Sequence, residues 1–163
     1  SAEALANPFD TKMTVSNEAF LNNSILKNVV TDTHYDNPNR KGRHVAFMAR
    51  ILTDKGIQAR GIACEEYTAV CIDEKGIASV YGSYPSKEDV AYFIQPNSEI
   101  TNNIPEVCIS NKPLEWNQNK KAITVYEVKG TSDGKNTFNL NDWKQGSGGT
   151  WKNWYVENGS LME

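Results

Sequence analysis

The sequence has few histidines and cysteines and no long hydrophobic run. Among its 163 residues are two histidines and three cysteines. The cysteines, Cys64, Cys71 and Cys108, have neither the spacing of a zinc site nor the count of a disulfide framework. No apolar run is as long as a membrane span, and a net charge of −3 gives no excess of cations for nucleic acid. The sequence therefore predicts neither a membrane-spanning nor a nucleic-acid-binding protein.

Length and composition are those of one globular domain. Hydrophobic residues make up 39% of the chain and charged residues 23%, which are ordinary fractions for a globular protein. A chain of this length buries roughly two-thirds of its unfolded surface when it folds. We see no internal repeat and no linker. The sequence predicts one α/β domain over residues 1–163, with β-hairpins and an irregular C-terminal extension.

One substantial helix is predicted among several strands. Val45, Met48, Ala49 and Leu52 recur at i, i+3, i+4 and i+7, which indicates an amphipathic helix over residues 40–54, with Asn39 as its N-cap. Short β-branched or alternating runs indicate strands, and DEKG between two of them is a hairpin turn. The other predictions are a helical turn at 1–8, a capped turn or short helix at 17–21, strands at 11–16, 29–31, 60–64, 67–72, 78–81, 91–94, 122–128 and 151–156, and a long polar surface loop at 96–118.

The most informative stretch is DTHYDNPNR, which directly follows a predicted buried strand. On an extended segment, alternate side chains share a face, so Asp32, His34 and Asp36 are expected to point the same way. They could be ligands of zinc or manganese. Alternatively, His34 transfers protons at the carboxyl end of the strand, where open α/β sheets place their sites. A third interpretation is a solvated polar turn beside a helix.

Two arginines stand at the start of the predicted helix, an unusual place for cations. The helix macrodipole makes this end positive, so Arg40 and Arg43 gain little there unless they hold an anion. A substrate carboxylate, bound by a planar guanidinium, would meet that condition. The second histidine, His44, lies further along the helix and is predicted to be an exposed surface residue.

A second set of polar residues lies in GIACEEYTAV, where Glu65 and Glu66 separate two predicted strands. For any one glutamate, a solvated turn is the ordinary interpretation. The functional interpretation is that one of them reaches Nδ1 of His34 and fixes its tautomer, as the acid does in a nucleophile–His–acid triad.

Together, TDTHYDNPNRKGRH and GIACEEYTAV resemble the cyanophycinase and peptidase E family of serine peptidases. In this family a D-x-H-F-like strand end precedes an R-x-x-G-R helix start and a G-I-D-E-x-T-A strand pair. The resemblance extends most strongly over residues 13–82 and more loosely through the C-terminal VYEVKG and WYVENGSL. It implies the C-terminal portion of a type 1 glutamine-amidotransferase-like α/β domain.

The resemblance also implies roles for particular residues. His34 matches the catalytic base, and Glu66 matches the supporting glutamate better than Glu65 does. A further set matches the pocket that lines the substrate's aspartyl carboxylate: Asp32, Thr33, Arg40 and Arg43. The sequence departs from the family at Pro38, where cyanophycin-degrading members tend to carry an arginine. Cyanophycin itself is therefore a doubtful substrate, whereas the acyl-transfer chemistry is unaffected.

The family's nucleophile is a serine in a G-T-S-A-G elbow, and the sequence contains neither this motif nor G-x-S-x-G. Ser1-Ala2 resembles part of the elbow, but Glu3 replaces the glycine of the tight turn. An N-terminal nucleophile, with its own α-amine as base, is an alternative. We expect instead that the serine lies on a separate N-terminal chain of the same precursor, cut downstream of the elbow.

The leading prediction is therefore the C-terminal chain of a serine hydrolase that cleaves peptide or isopeptide bonds at aspartyl residues. It would need no metal and no cofactor, would pair with the serine-bearing chain, and would form a homodimer of that assembled unit. We expect the missing strands to leave a strand edge and an apolar helix face exposed. The alternatives are a non-catalytic binding protein on the same scaffold, with tryptophans of the last segment forming a carbohydrate or partner surface, and a D-x-H-x-D metal enzyme.

Overall fold

The computed structural model describes residues 1–16 and 23–163, which form a mixed α/β fold with two sheets. No described helix is long and apolar enough to cross a membrane. The helices are α1 (Ala2–Ala6) and α2 (Lys41–Lys55), and the strands are β1 (Val29–Asp32), β2 (Arg60–Cys64), β3 (Ala69–Ile72), β4 (Ile77–Tyr84), β5 (Val90–Pro96), β6 (Ile123–Lys129), β7 (Asn136–Asn139), β8 (Gly146–Ser147), β9 (Gly149–Glu157) and β10 (Ser160–Met162).

The strands form a six-stranded sheet in the order β1-β2-β5-β6-β9-β10 and a four-stranded sheet in the order β3-β4-β7-β8. Only β1 and β2 are parallel, and α2 connects them; all other pairs are antiparallel. Parallel neighbours need such a crossover, whereas antiparallel ones need only a turn. β1 and β10 are the two edges of the large sheet, and no described strand pairs with the outer side of either.

The six-stranded sheet has a separate hydrophobic core on each face. On one face, α2 packs Val45, Met48 and Ala49 against side chains of β5, β6 and β9. On the other face, the four-stranded sheet contributes Phe138, which stacks on Phe93 at 4.2 Å. Every residue of β5 is buried, because its alternate side chains enter the two cores. The molecule is thus three layers: helix, large sheet and small sheet.

Local chemistry explains how α2 is bounded and seated. Gly56 ends it with φ 65°, a left-handed conformation that glycine adopts without steric cost. The helix begins at Lys41, one residue later than predicted, and the side chain of Asn39 accepts a hydrogen bond from the Lys41 amide at 3.0 Å. On β2, a Cβ at Gly61 would lie only 2.4 Å from Nε2 of His44. Glycine there lets helix and sheet approach each other.

The coarse α/β prediction is confirmed, and so are the positions of α1, β1, α2, β2 and the DEKG hairpin. The strand predicted at 11–16 is wrong, since these residues form a turn and irregular backbone. The turn or helix predicted at 17–21 lies outside the described residues. Three short strands, β7, β8 and β10, were not predicted.

Two predictions about exposure are also wrong. The long polar stretch at 96–118 is not a pure surface loop, because Leu114 and Trp116 have no exposed surface. Backbone bonds in both directions between Trp116 and Val156 anchor it to β9, and Asn103 accepts a bond from the Trp116 indole at 2.7 Å. The apolar face of α2 is not exposed either: it lies within the core described above.

Candidate functional site

His34 and Glu66 meet at the carboxyl end of β1. Nδ1 of His34 lies 2.8 Å from Oε1 of Glu66. A carboxylate can only accept, so the pair selects the tautomer with the proton on Nδ1 and a lone pair on Nε2. The side chain of His34 is 59% exposed, and Nε2 has no hydrogen-bond partner among the described residues. The predicted contact is present, and it leaves the second nitrogen accessible from solvent.

The backbone around His34 is held in an unusual conformation. His34 has φ 49°, in the left-handed region that side chains other than glycine rarely adopt. The next residue, Tyr35, is fully buried, and its amide donates to the carbonyl of Cys64 at the end of β2. Asp36 accepts a bond from the backbone amide of Glu66 at 3.3 Å. The two segments that carry His34 and Glu66 are therefore joined independently of their side chains.

Asp32 forms a bidentate ion pair with Arg43. Its two oxygens lie 3.0 Å from Nε and 2.7 Å from Nη2 of that arginine. Asp32 also accepts the amide of Thr33 at 2.9 Å. Asp32 and Arg43 were predicted to line a substrate carboxylate; in the structure the guanidinium fork of Arg43 is occupied by Asp32, and their role towards a substrate stays a prediction.

Arg40 is less completely engaged. Nη1 donates to the backbone carbonyl of Thr33 at 3.1 Å and lies 3.8 Å from Asp32, while Nε is buried without a partner. Two guanidinium groups thus share the carboxylate of Asp32, while Glu66 and Asp36 place two further carboxylates on the other side of His34. Of the two predicted carboxylate-binding arginines, Arg40 has the greater remaining capacity to donate. Thr33 is exposed, and its backbone rather than its side chain makes these contacts.

The expectation that Asp32, His34 and Asp36 point together is wrong. β1 ends at Asp32, and the left-handed backbone at His34 breaks the alternation. Asp32 pairs with Arg43, whereas His34 and Asp36 both contact Glu66, the first at its side chain and the second at its backbone amide. Across residues 1–16 and 23–163, no three His, Cys, Asp or Glu side chains are placed to share a metal ion. The geometry of this stretch therefore favours hydrogen bonding and ion pairing over metal ligation.

Glu65, the neighbour of Glu66, points to a different partner. Its carboxylate accepts a bond from the hydroxyl of Tyr92 at 2.6 Å. Burial raises the pKa of Glu65, and the Tyr92 bond opposes that shift. Because Glu65 is directed towards β5, the structure supports the predicted register in which Glu66 serves His34.

His44 is not the surface residue that the sequence predicted. It is 1% exposed, and neither ring nitrogen makes a hydrogen bond of normal geometry. Its ring meets that of Tyr35 edge-on at 5.6 Å. Burial lowers the pKa of His44 to about 4, outweighing the opposing effects of Asp32 and the Val30 backbone. His44 is therefore neutral near pH 7 and has no direct access to solvent.

Ser1 is not presented to His34. Its hydroxyl donates to the backbone carbonyl of Asn39 at 2.5 Å, and the residue caps α1. The alternative of a carbohydrate or partner surface formed by the last three tryptophans loses most of its basis. Trp143 and Trp154 are buried, and only Trp151 of the three is exposed.

Sequence reasoning missed Tyr35, which helps to hold the site together. A large aromatic residue within a polar turn was the available signal, because such a side chain gains most from burial. Asp36 was singled out as a candidate metal ligand, and its contact with the Glu66 amide was not predicted.

Comparison with protein-family models, with curated proteins and with solved structures finds no match to this chain. The resemblance to cyanophycinases and peptidase E consequently stays a prediction.

Proposed function

We propose that this chain supplies the base and the acid of a cyanophycinase-like serine hydrolase. The observation that carries the proposal is the 2.8 Å contact between His34 Nδ1 and Glu66 Oε1, made by a histidine whose side chain is 59% exposed. A neutral imidazole held by a carboxylate, with one nitrogen open to a reactant, is the arrangement that general-base activation of a hydroxyl requires. The serine would come from another part of the precursor.

In the proposed reaction, Nε2 of His34 takes the proton from the serine hydroxyl as its oxygen attacks the scissile carbonyl. The imidazolium then gives this proton to the leaving amine as the C–N bond breaks, which leaves an acyl-enzyme. Water attacks the acyl carbon with His34 again as base, and the acid and free serine are released. Glu66 stabilises the imidazolium throughout and holds the ring in position.

We assign the binding of a substrate's aspartyl side chain to Arg40. It retains donor capacity and lies beside the same strand end as His34. Arg43 contributes a positive charge fixed by Asp32 rather than a free fork. A substrate carboxylate would be bound by hydrogen bonds from the Arg40 guanidinium, against the opposing charges of Glu66 and Asp36.

The finer fold assignment belongs to the same proposal. A parallel strand pair joined by a helix, with His34 just beyond the carboxyl end of its first strand, is consistent with a type 1 glutamine-amidotransferase-like sheet. We propose that the chain is the C-terminal portion of such a domain and that the assembled unit is a homodimer.

The decisive experiment pairs this chain with the sequence encoded immediately upstream of Ser1. We expect a G-T-S-A-G elbow there, no turnover of aspartyl peptides or isopeptides by the 163-residue chain, and turnover when both parts are present. Serine-dependent turnover by the isolated chain would contradict the division of roles and restore Ser1 as nucleophile. A non-catalytic binding protein would bind such peptides and hydrolyse none in either form.

A further inference from the structure

A polar pocket lies at the end of the six-stranded sheet opposite to His34. Its volume is about 250 Å³. The strands β1 and β2 run parallel, so residues that precede them share the end that His34 does not occupy. The four residues of β1 separate the two ends by roughly 13 Å, at about 3.3 Å per residue. We call this cavity the Arg60 pocket; its lining includes Lys27, Asn28, Gln58, Arg60, Gln95 and Ser98.

The charges of the Arg60 pocket are not balanced. Lys27 and Arg60 both line it, and its described lining contains no acidic side chain. Neither cation forms an ion pair with a carboxylate of residues 1–16 or 23–163. Every other arginine of this chain contacts a carboxylate: Arg40, Arg43 and Arg50 do so. Apart from Pro96, the remaining lining side chains are amides and a hydroxyl, and those of Asn28, Gln58 and Ser98 can donate hydrogen bonds to an oxyanion.

Arg60 is held in place without an anionic partner. Its guanidinium carbon lies over the ring of Trp143, 5.0 Å from the centroid. Trp143 is itself buried, and its carbonyl accepts a bond from Gln95 at 2.7 Å, so the aromatic surface beneath Arg60 is fixed. Partial burial lowers the pKa of Arg60, and no neighbouring carboxylate offsets this desolvation. A desolvated cation without a counter-charge is unfavourable unless a ligand supplies one.

We infer that the Arg60 pocket binds a small tetrahedral oxyanion of the phosphate class. Two cations match a dianion, and the guanidinium of Arg60 can donate two parallel hydrogen bonds to it. Asn28, Gln58 and Ser98 donate to the remaining oxygens, while the Gln95 amide holds Trp143 in place. The volume accommodates an inorganic phosphate or the phosphoryl end of a larger molecule that projects into solvent. This site is independent of the proposed hydrolase chemistry, since none of its residues contacts His34, Glu66 or their partners.

The test is a titration of the isotopically labelled chain with inorganic phosphate, followed by amide NMR at constant ionic strength. We expect saturable shifts at residues 27–28, 58–60 and 95–98, with a dissociation constant on the order of 1 mM. Chloride should not reproduce them. Phenyl phosphate in a parallel titration distinguishes the two sources: tighter binding than phosphate indicates the phosphoryl end of a larger ligand, and equal binding indicates the free ion.

Variants assign the binding to particular side chains. Arg60→Gln should weaken phosphate at least about tenfold, and Arg60→Lys should also weaken it, because the charge stays but the planar fork is lost. Lys112→Gln, an exposed cation outside the pocket, is the matched control and should bind as the parent does. Phosphate should raise the melting temperature of the parent chain but not of Arg60→Gln. Unchanged affinity in Arg60→Gln, or shifts confined to the Arg40 end, would overturn the inference.

Discussion

The two histidines of this chain occupy opposite environments within a short stretch of sequence. His34 lies in the turn after β1, is 59% exposed at its side chain, and has a carboxylate 2.8 Å from one nitrogen. His44 lies on α2, is 1% exposed, and has no normal hydrogen bond at either nitrogen. The His34 ring is oriented by a carboxylate and is open to reactants. The His44 ring has neither a carboxylate partner nor contact with solvent.

This difference shows that burial alone does not prepare a histidine for proton transfer. Around His44 the low dielectric disfavours the charged ring, and the pKa falls to about 4. Around His34 a fixed carboxylate can stabilise the imidazolium, while water and substrate can still reach the opposite nitrogen. Only the second environment supplies both a stabilised cation and a path for the proton.

The largest expected effect distinguishes the two rings by activity. In an assembly that supplies the serine, His34→Ala should lower the turnover of an aspartyl peptide on the order of 10⁴- to 10⁶-fold, because an unassisted hydroxyl is a poor nucleophile. His44→Leu removes a ring that no substrate can reach and should keep most of the turnover. Steady-state rates for the two variants measure the contrast directly; equal losses would show that the exposed ring has no special role.

The next effect tests the carboxylate partner of the exposed ring. Glu66→Gln should lower turnover on the order of 10⁴-fold at most, since the amide perturbs tautomer and charge but leaves the base in place. Glu65→Gln is the matched control because this neighbour bonds Tyr92 instead, and its turnover should be nearly unchanged. A larger loss in the Glu65 variant would reverse the assigned register.

The buried ring should be visible in stability rather than in activity. With a pKa of about 4 when folded and about 6.5 when unfolded, His44 binds more protons in the unfolded state between these values. The contribution of His44 to the unfolding free energy therefore rises with pH through this window. Lowering the pH from 7 to 5 should reduce the unfolding free energy by about 2 kcal/mol. Urea denaturation at both pH values measures this loss, which His44→Leu should abolish. His34→Leu, measured in parallel, gives the part of the pH dependence that is due to the other histidine. If His44→Leu loses as much unfolding free energy between pH 7 and pH 5 as the parent does, the lowered pKa of His44 is contradicted.

The smallest effect extends the comparison to carboxylates. Asp32 is 13% exposed and holds Arg43 through two bonds, whereas Glu88, the partner of Lys129, is 78% exposed. Asp32→Asn should cost about 1 to 2 kcal/mol of unfolding free energy, because it weakens a partly buried charge-assisted pair. Glu88→Gln should cost less than about 0.5 kcal/mol, as is usual for surface pairs. Chemical denaturation of both variants measures these two costs. Equal costs would show that the Asp32–Arg43 pair stabilises the fold no more than a surface pair does.

The sequence was most informative where local rules and tertiary structure agree. The spacing of Val45, Met48 and Ala49 predicted α2, and hydrophobic period with turn chemistry suffices for such an element. The choice of Glu66 over Glu65 as the partner of His34 came instead from the family resemblance, since neither residue alone distinguishes a site from a solvated turn.

The failures share a different physical cause: they depend on packing between segments distant in sequence. His44 is a polar residue on a helix, and no neighbouring residue in the sequence indicates that Gly61, on β2, leaves space for its ring. The sequence likewise gives no sign that both oxygens of Asp32 bond the guanidinium of Arg43. Trp116 lies in a polar stretch, and only its partners on β9 and at Asn103 reveal that it is buried.

The complete burial of Tyr35 has a consequence for the dynamics of the neighbouring site. Tyr35 follows His34 directly, so the turn cannot move far unless this aromatic ring leaves the hydrophobic core. Opening of the turn is thereby coupled to partial unfolding rather than to the free fluctuation usual for a surface loop. The Tyr35 amide, bonded to the Cys64 carbonyl, should accordingly exchange its hydrogen as slowly as amides of the central strands.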